Sequence, residues 1–178
     1  MALTQISSAG IKNAEVKTED ILDANVTAAK IATGADFTFN SVAVGKGANS
    51  VAGNTVVGET ALDAAVTGGY NTAIGKDALT ANTSGEQNLA VGWDALKANT
   101  TANYNTALGP EALKANTTGA SNTALGRYAL GANTTASNNT AVGHYALGAN
   151  TTGHSNNAFG IGSLDANTTG YSNAAFGH

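Results

Sequence analysis

The chain of 178 residues carries eight basic and twelve acidic residues and contains no cysteine. Lack of cysteine excludes disulfide scaffolds, thiolate zinc sites and cysteine nucleophiles, and the slight acidic excess argues against a nucleic-acid surface. No apolar run approaches the ~18 residues of a membrane span, and residues 1–17 do not have the pattern of a secretory signal peptide. Alanine, threonine, glycine and asparagine fill 103 positions, against 39 for large apolar and aromatic residues. Such a composition indicates a stacked repeat.

Residues 1–40 differ from the rest of the chain, and we expect them to form a separate adaptor. Large apolar residues recur there every five positions, at Ile11, Val16, Ile21, Val26 and Ile31. A five-residue period fits neither a helix nor a simple strand and predicts short β-helical turns. The alternative is one helix over about residues 19–32, with Thr18 as its cap and Gly34 after its end. Both alternatives stay open from the sequence.

From Asn54 onward a unit of 17 residues repeats without insertion, as in NTALGPEALKANTTGAS. Asn recurs at the first position, Gly at the fifth and Leu at the ninth. A shorter unit, SVAVGKGANSVAG, occupies residues 41–53. The eighth unit stops after NAAFGH, and two explanations stay open: a downstream part has been removed, or another chain completes the last coil. Residues 41–178 are therefore predicted to form one repetitive shaft.

The period predicts an all-β fold, a parallel β-roll or β-solenoid with one coil per unit. Helical repeats need more than 30 residues per unit, and Asn-Thr-Thr with Gly is poor helix material. In the segment T-A-[IVL]-G, Thr72 and Ile74 would face one side and Ala73 the other. Gly75 would form a corner that a side chain would obstruct. At ~4.8 Å per coil, seven units make a rod on the order of 35 Å tall.

Stacking the units produces a bulky column and a small column. We assign the bulky column as the repeat core, in which one face fills the coil and the other meets a neighbouring chain. The supply of large apolar side chains is thin for a lone coil, so we expect an oligomer, most economically a parallel three-fold bundle. The bulky column contains Ile74, Val91, Leu108, Leu125, Val142 and Phe159, and the small column contains the alanines that precede them.

The units N-T-A-[LVI]-G-x-x-A-L-x-A-N-T-T-G resemble the repeats of bacteriophage tail fibres, including those of cyanophages. The resemblance covers residues 41–178. The cores of the xVAVG type, above all residues 42–45, are similar to the head repeats of trimeric autotransporter adhesins, which form a left-handed parallel β-roll of three chains. Residues 9–33 resemble the short N-terminal repeats of phage fibres that lead to the virion attachment site. The resemblance implies an intertwined or side-by-side homotrimer.

The resemblance implies a structural function in the virion. The chain would be the shaft of a tail fibre and mediate adhesion to the host surface. Its N-terminal segment, with the five residues spaced by five, would bind other tail or baseplate proteins. The alternative is an extracellular, self-assembling filament or adhesin. We expect no enzymatic activity, no cofactor, no metal, no nucleic acid and no insertion into a membrane.

Aromatic residues at variable positions are the candidate binding residues. These positions follow the corner glycine or end each unit, and rings exposed there can stack on sugars. The candidates for contact with a host glycan or protein are Trp93, Tyr128, Tyr145 and Tyr171. The alternative is that these rings cover the shaft or its seams between chains, since interfaces also favour aromatic residues.

Other polar residues carry weaker hypotheses. The spacing of His144, His154 and His178 does not match a metal site. The column of Asp77, Asp94 and Glu111 is expected to face solvent as a soluble edge. Threonine columns resemble the faces of ice-binding solenoids, and the alternative for them is a ladder of hydrogen bonds between coils. No G-x-S-x-G elbow and no paired-carboxylate arrangement point to catalysis.

Overall fold

A computed structural model describes residues 37–39 and 41–178. Ten short strands form one sheet in chain order. One 3-10 turn spans Ala48–Ser50, and no helix in the described part is long and apolar enough to span a membrane. The strands are β1 (Phe37–Phe39), β2 (Val42–Gly45), β3 (Thr55–Gly58), β4 (Thr72–Ile74), β5 (Leu89–Val91), β6 (Thr106–Leu108), β7 (Thr123–Leu125), β8 (Thr140–Val142), β9 (Asn157–Phe159) and β10 (Ala174–Phe176).

The predicted adaptor of residues 1–40 lies outside the described residues, apart from strand β1. The two alternatives for that segment, short β-helical turns and one helix, therefore both stay open. The five residues assigned to virion attachment also lie outside the described residues: Ile11, Val16, Ile21, Val26 and Ile31. Their assignment stays a prediction.

Strands β3 to β10 are all parallel, and each pairs with the strand of the next unit. The register is offset by one unit, so that Ala73 pairs with Ala90 and Ala90 with Ala107. One strand per 17-residue unit in a continuous parallel sheet is a β-solenoid of about seven turns. The predicted all-β, parallel solenoid is confirmed.

The shorter unit at residues 41–53 is different, because its strand β2 pairs antiparallel with both β1 and β3. A parallel crossover needs a dozen or more residues. Only residues 46–54 connect β2 to β3, whereas residues 59–71 connect β3 to β4. The short unit therefore turns back instead of completing a coil, although its strand begins like the others.

The prediction for the bulky column is wrong within one chain. Ile74, Leu108, Leu125 and Phe159 are exposed on the outer face of the sheet, and Val91 and Val142 are half-buried. The core consists instead of the small alanine column, a second alanine column at the eighth position and the leucines of the ninth position, such as Leu113. The leucines fill the narrow coil, which leaves room on the inner face of the strands for little more than a methyl group.

Glycine at the fifth position and leucine at the ninth shape the coil. Gly75 has a φ of +125°, and a Cβ there would lie 2.7 Å from the carbonyl oxygen of Gly92, so the predicted corner role is confirmed. Leu113 also has a positive φ, 51°, which few leucines adopt. Its amide donates to the carbonyl of Ala129 in the next coil at 3.0 Å. The leucine turn is thus tied to the following coil by the backbone.

Two columns of buried asparagines join the coils. At the first position, the Asn122 amide N–H donates to Asn105 Oδ1 at 2.9 Å, and Asn122 Nδ2 donates to the carbonyl of Ala136 at 2.9 Å. At the twelfth position, Asn133 Nδ2 donates to Asn116 Oδ1 at 2.9 Å. Among the described residues, every buried side-chain nitrogen and oxygen has a hydrogen-bond partner. These ladders set the spacing of the coils from inside.

Candidate functional site

Side chains at the sixth, seventh and tenth positions of each unit line one edge of the solenoid, which we call the turn edge. The seventh and tenth residues change together along the chain. One unit pairs Thr with Asp, three pair an acid with Thr or Lys, two pair Tyr with Gly, and one pairs Gly with Asp. The pairs are Thr60/Asp63, Asp77/Thr80, Asp94/Lys97, Glu111/Lys114, Tyr128/Gly131, Tyr145/Gly148 and Gly162/Asp165.

The first half of the turn edge is a charged ladder of Glu59, Lys76, Asp77, Lys97, Asp94, Lys114, Glu111 and Arg127. Lys97 Nζ lies 2.9 Å from Asp94 in its own coil and 3.3 Å from Asp77 in the coil before. Lys114 Nζ repeats this arrangement, at 3.2 Å from both Glu111 and Asp94. Each of these two lysines therefore bridges two consecutive coils.

The ladder shifts the pKa values of its members. The pKa of Asp77 is lowered, chiefly because the Thr60 hydroxyl donates to its carboxylate and also because Lys97 lies beside it. The pKa of Lys97 is raised, chiefly by its hydrogen bond to Asp94. The pKa of Lys114 is raised, chiefly by its hydrogen bond to Glu111. Folding thus favours the charged form of all three groups.

The expectation that Asp77, Asp94 and Glu111 face solvent is wrong. Asp94 is only 2% exposed, and the other two are half-buried. All three residues have φ near +60°. Each carboxylate forms an ion pair with the residue three positions later, with a residue of a neighbouring coil, or with both. Their carboxylates are therefore paired between coils.

The second half of the turn edge is built on tyrosine. The rings of Tyr128 and Tyr145 stack with their centroids 4.8 Å apart. A Cβ on Gly131 would lie 2.5 Å from Cδ1 of Tyr128, and a Cβ on Gly148 would lie 3.1 Å from Cδ1 of Tyr145. Each ring thus occupies the space that a side chain three residues later would need. Tyrosine and glycine form a pair for this reason.

Two grooves follow the turn edge. A groove of about 720 Å³ has its floor at the alanines of the eleventh position and is walled by Lys97, Glu111, Lys114 and Tyr128. A smaller groove of about 310 Å³ continues along Tyr128 and Tyr145 to Asp165. The turn edge therefore offers an apolar floor with charged groups at one end and aromatic rings at the other.

The four predicted aromatic contacts are not all brought together. Trp93 lies on the turn edge, 49% exposed, with Lys114 Nζ 5.6 Å from its ring. Tyr128 and Tyr145 form the stack described above. Tyr171 lies at the other variable position, 65% exposed, and stacks on His154 at 5.1 Å. The exposed rings of Tyr70 and Tyr104 are not among the predicted contacts, although they lie at the seventeenth position of their units, directly after the sixteenth position that Tyr171 occupies.

The histidines contact aromatic or basic neighbours. His144 meets Tyr145 edge-on at 4.6 Å, and its Nε2 lies 3.4 Å from the Arg127 guanidinium. In the described part of the chain, no three His, Asp or Glu residues form a group that could hold a metal ion. Arg127, 5.8 Å from the Tyr145 ring, joins this cluster to the charged ladder.

The threonine column at the thirteenth position forms hydrogen bonds between coils. The hydroxyl of Thr83 donates to the carbonyl of Thr100 at 3.0 Å, and Thr100 donates to Thr117 at 3.2 Å. Thr117 and Thr134 continue the series. This column is therefore a ladder of hydrogen bonds between coils, the predicted alternative to an ice-binding face.

A second candidate surface is the outer column, formed by Val57, Ile74, Val91, Leu108, Leu125, Val142, Phe159 and Phe176 on the solvent side of β3 to β10. The parallel register places these side chains directly above one another. The rings of Phe159 and Phe176 stack at 5.1 Å. The outer column is an apolar stripe along the whole parallel sheet, which is typical of a surface that meets another protein.

Comparison with known proteins adds no relative to this description. The chain matches no protein-family model, no curated protein and no solved structure.

Proposed function

We propose that this chain is the structural shaft of a bacteriophage tail fibre, assembled as a homotrimer. Residues 1–40 would join it to tail or baseplate proteins, and the solenoid would hold a host-recognition end away from the virion. A continuous parallel sheet with two internal asparagine ladders supports a stiff spacer, since bending it requires breaking many hydrogen bonds at once. The phage assignment itself rests on the resemblance of the 17-residue units to tail-fibre repeats.

The observation that carries the proposed assembly is the outer column. Ile74, Leu108, Leu125 and Phe159 leave large apolar side chains in solvent at regular spacing, although the chain has few such residues. Burying this stripe against two other copies would stabilise the assembly by roughly 25 cal/mol for each Å² of apolar surface removed from water. Three parallel copies with the same coil spacing keep equivalent side chains level with one another, so the contact repeats in every coil.

Sedimentation of the purified chain tests the trimer. We expect three times the chain mass of 17.5 kDa. Leu108→Asp combined with Leu125→Asp places two charges in the outer column and should shift the mass to that of one chain. Thr118→Asp, on an exposed position outside the outer column, is the matched control and should leave the mass unchanged. A single-chain mass for the unmodified protein contradicts the trimer.

Electron microscopy and genetics test the place in the virion. Purified protein should give short rods of one length, whereas open-ended filaments would favour the self-assembling alternative. Neighbouring genes for capsid, baseplate or other tail proteins are expected for a fibre. Removing residues 1–40, which also removes strand β1, should abolish attachment to particles and leave the shaft of residues 41–178 folded, as circular dichroism would report. Truncated protein that still joins particles would show that the attachment site lies elsewhere.

A further inference from the structure

The tyrosine stack on the turn edge ends in a notch. Tyr145 stacks on Tyr128 of the coil before. In the coil after, the equivalent residue is Gly162, which has no side chain. A Cβ at Gly162 would have the Asp165 carboxylate at 3.9 Å as its nearest neighbour, so the space is open. Tyr145 is 37% exposed and has no third ring to stack on in the following coil.

Polar groups surround this ring on two sides. Asp165 occupies the tenth position of its unit, where the two preceding units have the glycine that lies three residues after each stacked tyrosine. Its exposed carboxylate lines the 310 Å³ groove beside Tyr145. His144 stands edge-on to the ring at 4.6 Å. Gly148 and Ala149 form the floor of the same groove. An apolar face bordered by a carboxylate and an imidazole can bind a ligand with one apolar face and several hydroxyl groups.

The charge beside the notch favours a neutral ligand over an anionic one. Asp165 contributes a negative charge beside Tyr145, whereas Arg127, 5.8 Å from the ring centroid, is already paired with Glu111 at 3.8 Å. An anionic ligand would meet a charge of its own sign at Asp165, whereas neutral hydroxyl groups can donate hydrogen bonds to that carboxylate. The groove that adjoins the notch, lined by Tyr145 and Asp165 among others, has a volume of about 310 Å³, which lies at the small end of ligand sites and suits one sugar ring.

We propose that this notch binds one neutral hexopyranose unit of a polysaccharide. The C–H face of the sugar stacks on the Tyr145 ring in the space above Gly162. Two sugar hydroxyls donate hydrogen bonds to the Asp165 carboxylate, and His144 contacts the rim of the ring. The proposal deepens the glycan contact expected for Tyr145 by defining the residues and the ligand class, and it depends neither on the trimer nor on the phage assignment.

Binding of neutral trisaccharides to the full chain tests the proposal. The probes are maltotriose, cellotriose, galactotriose and mannotriose, followed by saturation-transfer NMR and titration calorimetry. At least one should bind. Tyr145→Ala should weaken its binding about tenfold through loss of stacking, and Asp165→Asn should weaken it by a similar factor through loss of the charged acceptor. Tyr104→Ala removes an exposed ring away from the turn edge and is the matched control.

A second variant tests the notch without removing Tyr145. Gly162→Tyr with Asp165→Gly introduces the tyrosine–glycine pair that the two preceding coils carry at these positions, where φ is +56° and +59° for Tyr128 and Tyr145 and +65° for Gly162. It should extend the stack, fold as the parent does and abolish sugar binding. Failure of all four trisaccharides to bind overturns the proposal, as does binding that Tyr145→Ala or the double variant leaves unchanged. Sedimentation mass, recorded on the same samples, reports separately on the proposed trimer.

Discussion

Leu108 and Leu113 lie five residues apart in the same coil, yet Leu113 is fully buried and Leu108 is 42% exposed. Leu108 is the last residue of strand β6 and points away from the coil. Leu113 lies four residues after the corner glycine of its unit. Its side chain reaches the interior because the backbone is left-handed there, with φ of 51°. Substitution of Leu113 therefore measures the stability that comes from packing inside the coil, and substitution of Leu108 measures the contribution of the outer surface.

Truncating these two leucines should have unequal effects on stability. Leu113→Ala opens a cavity among buried alanines and leucines and should lower the free energy of unfolding by about 3 kcal/mol. Leu108→Ala should cost less than about 1 kcal/mol for a single chain. If three copies pack through the outer column, the cost of Leu108→Ala instead depends on protein concentration. Urea unfolding followed by circular dichroism at several concentrations measures both. Equal costs at low concentration would contradict the assignment of inside and outside.

The asparagine ladder should be a main source of cohesion between coils. Asn122→Ala removes the acceptor for the amide of Asn139 and the donor to the carbonyl of Ala136. The carbonyl of Ala136 keeps its bond from Asn133 Nδ2 at 2.9 Å, so the buried N–H of Asn139 is the backbone group left without a partner, which should cost about 2 kcal/mol. Asn157→Ala changes an exposed asparagine of strand β9 and should cost less than about 0.5 kcal/mol. Thermal unfolding of the two variants beside the parent decides the matter, and similar melting temperatures would show that the ladder is energetically minor.

The charged ladder should make stability depend on pH at both ends of the scale. The pKa of Asp77 is lowered by folding, so its contribution is present above the ordinary value of about 3.9 and is lost as pH falls through the lower folded value. The pKa values of Lys97 and Lys114 are raised. Their contribution is present below the ordinary value of about 10.4 and is lost as pH rises through the higher folded values.

Melting temperature against pH, recorded at low and high salt, checks this dependence. We expect a plateau at neutral pH, a decline on each side and a smaller plateau height at high salt, because exposed pairs are screened. Lys97→Met should weaken the decline on the alkaline side. Thr118→Met, at an exposed position outside the charged ladder, is the control. An alkaline decline that Lys97→Met leaves unchanged would assign it to other groups.

Much of the fold follows from the 17-residue period, but the inside of the coil does not. Strand alternation shows that Ala107 and Leu108 face opposite sides, and it contains no information on which side is closed. A signal was present: the outer column varies among Val, Ile, Leu and Phe, whereas the alanines beside it and the leucines of the ninth position hardly vary. Tight space permits one residue type, and open space permits several. The left-handed turn at each leucine has no such signal, since leucine rarely adopts it.

The candidate site was visible in the sequence only in part. Variable positions predict where aromatic residues are exposed, because any residue type can be accommodated where the coil faces solvent. They do not predict the pairing of Asp94 with Lys97 or of Tyr128 with Gly131, although both pairs are three residues apart. The left-handed seventh residue brings its side chain over the tenth, and this proximity depends on a turn that the sequence pattern does not predict.

The tyrosine–glycine pair can be tested by a double-mutant cycle. Gly131→Ala places a methyl group where Cδ1 of Tyr128 lies, so the ring must move and lose its stack on Tyr145. We expect this change to cost about 1 kcal/mol of unfolding free energy in the parent. With Tyr128→Ala already present, Gly131→Ala meets no ring and should be neutral or stabilising by a few tenths of a kcal/mol, roughly as expected for Gly→Ala at a compatible backbone. The resulting interaction energy of about 1 kcal/mol would establish the pair, and an equal cost in both backgrounds would show that glycine is needed at residue 131 for its backbone alone.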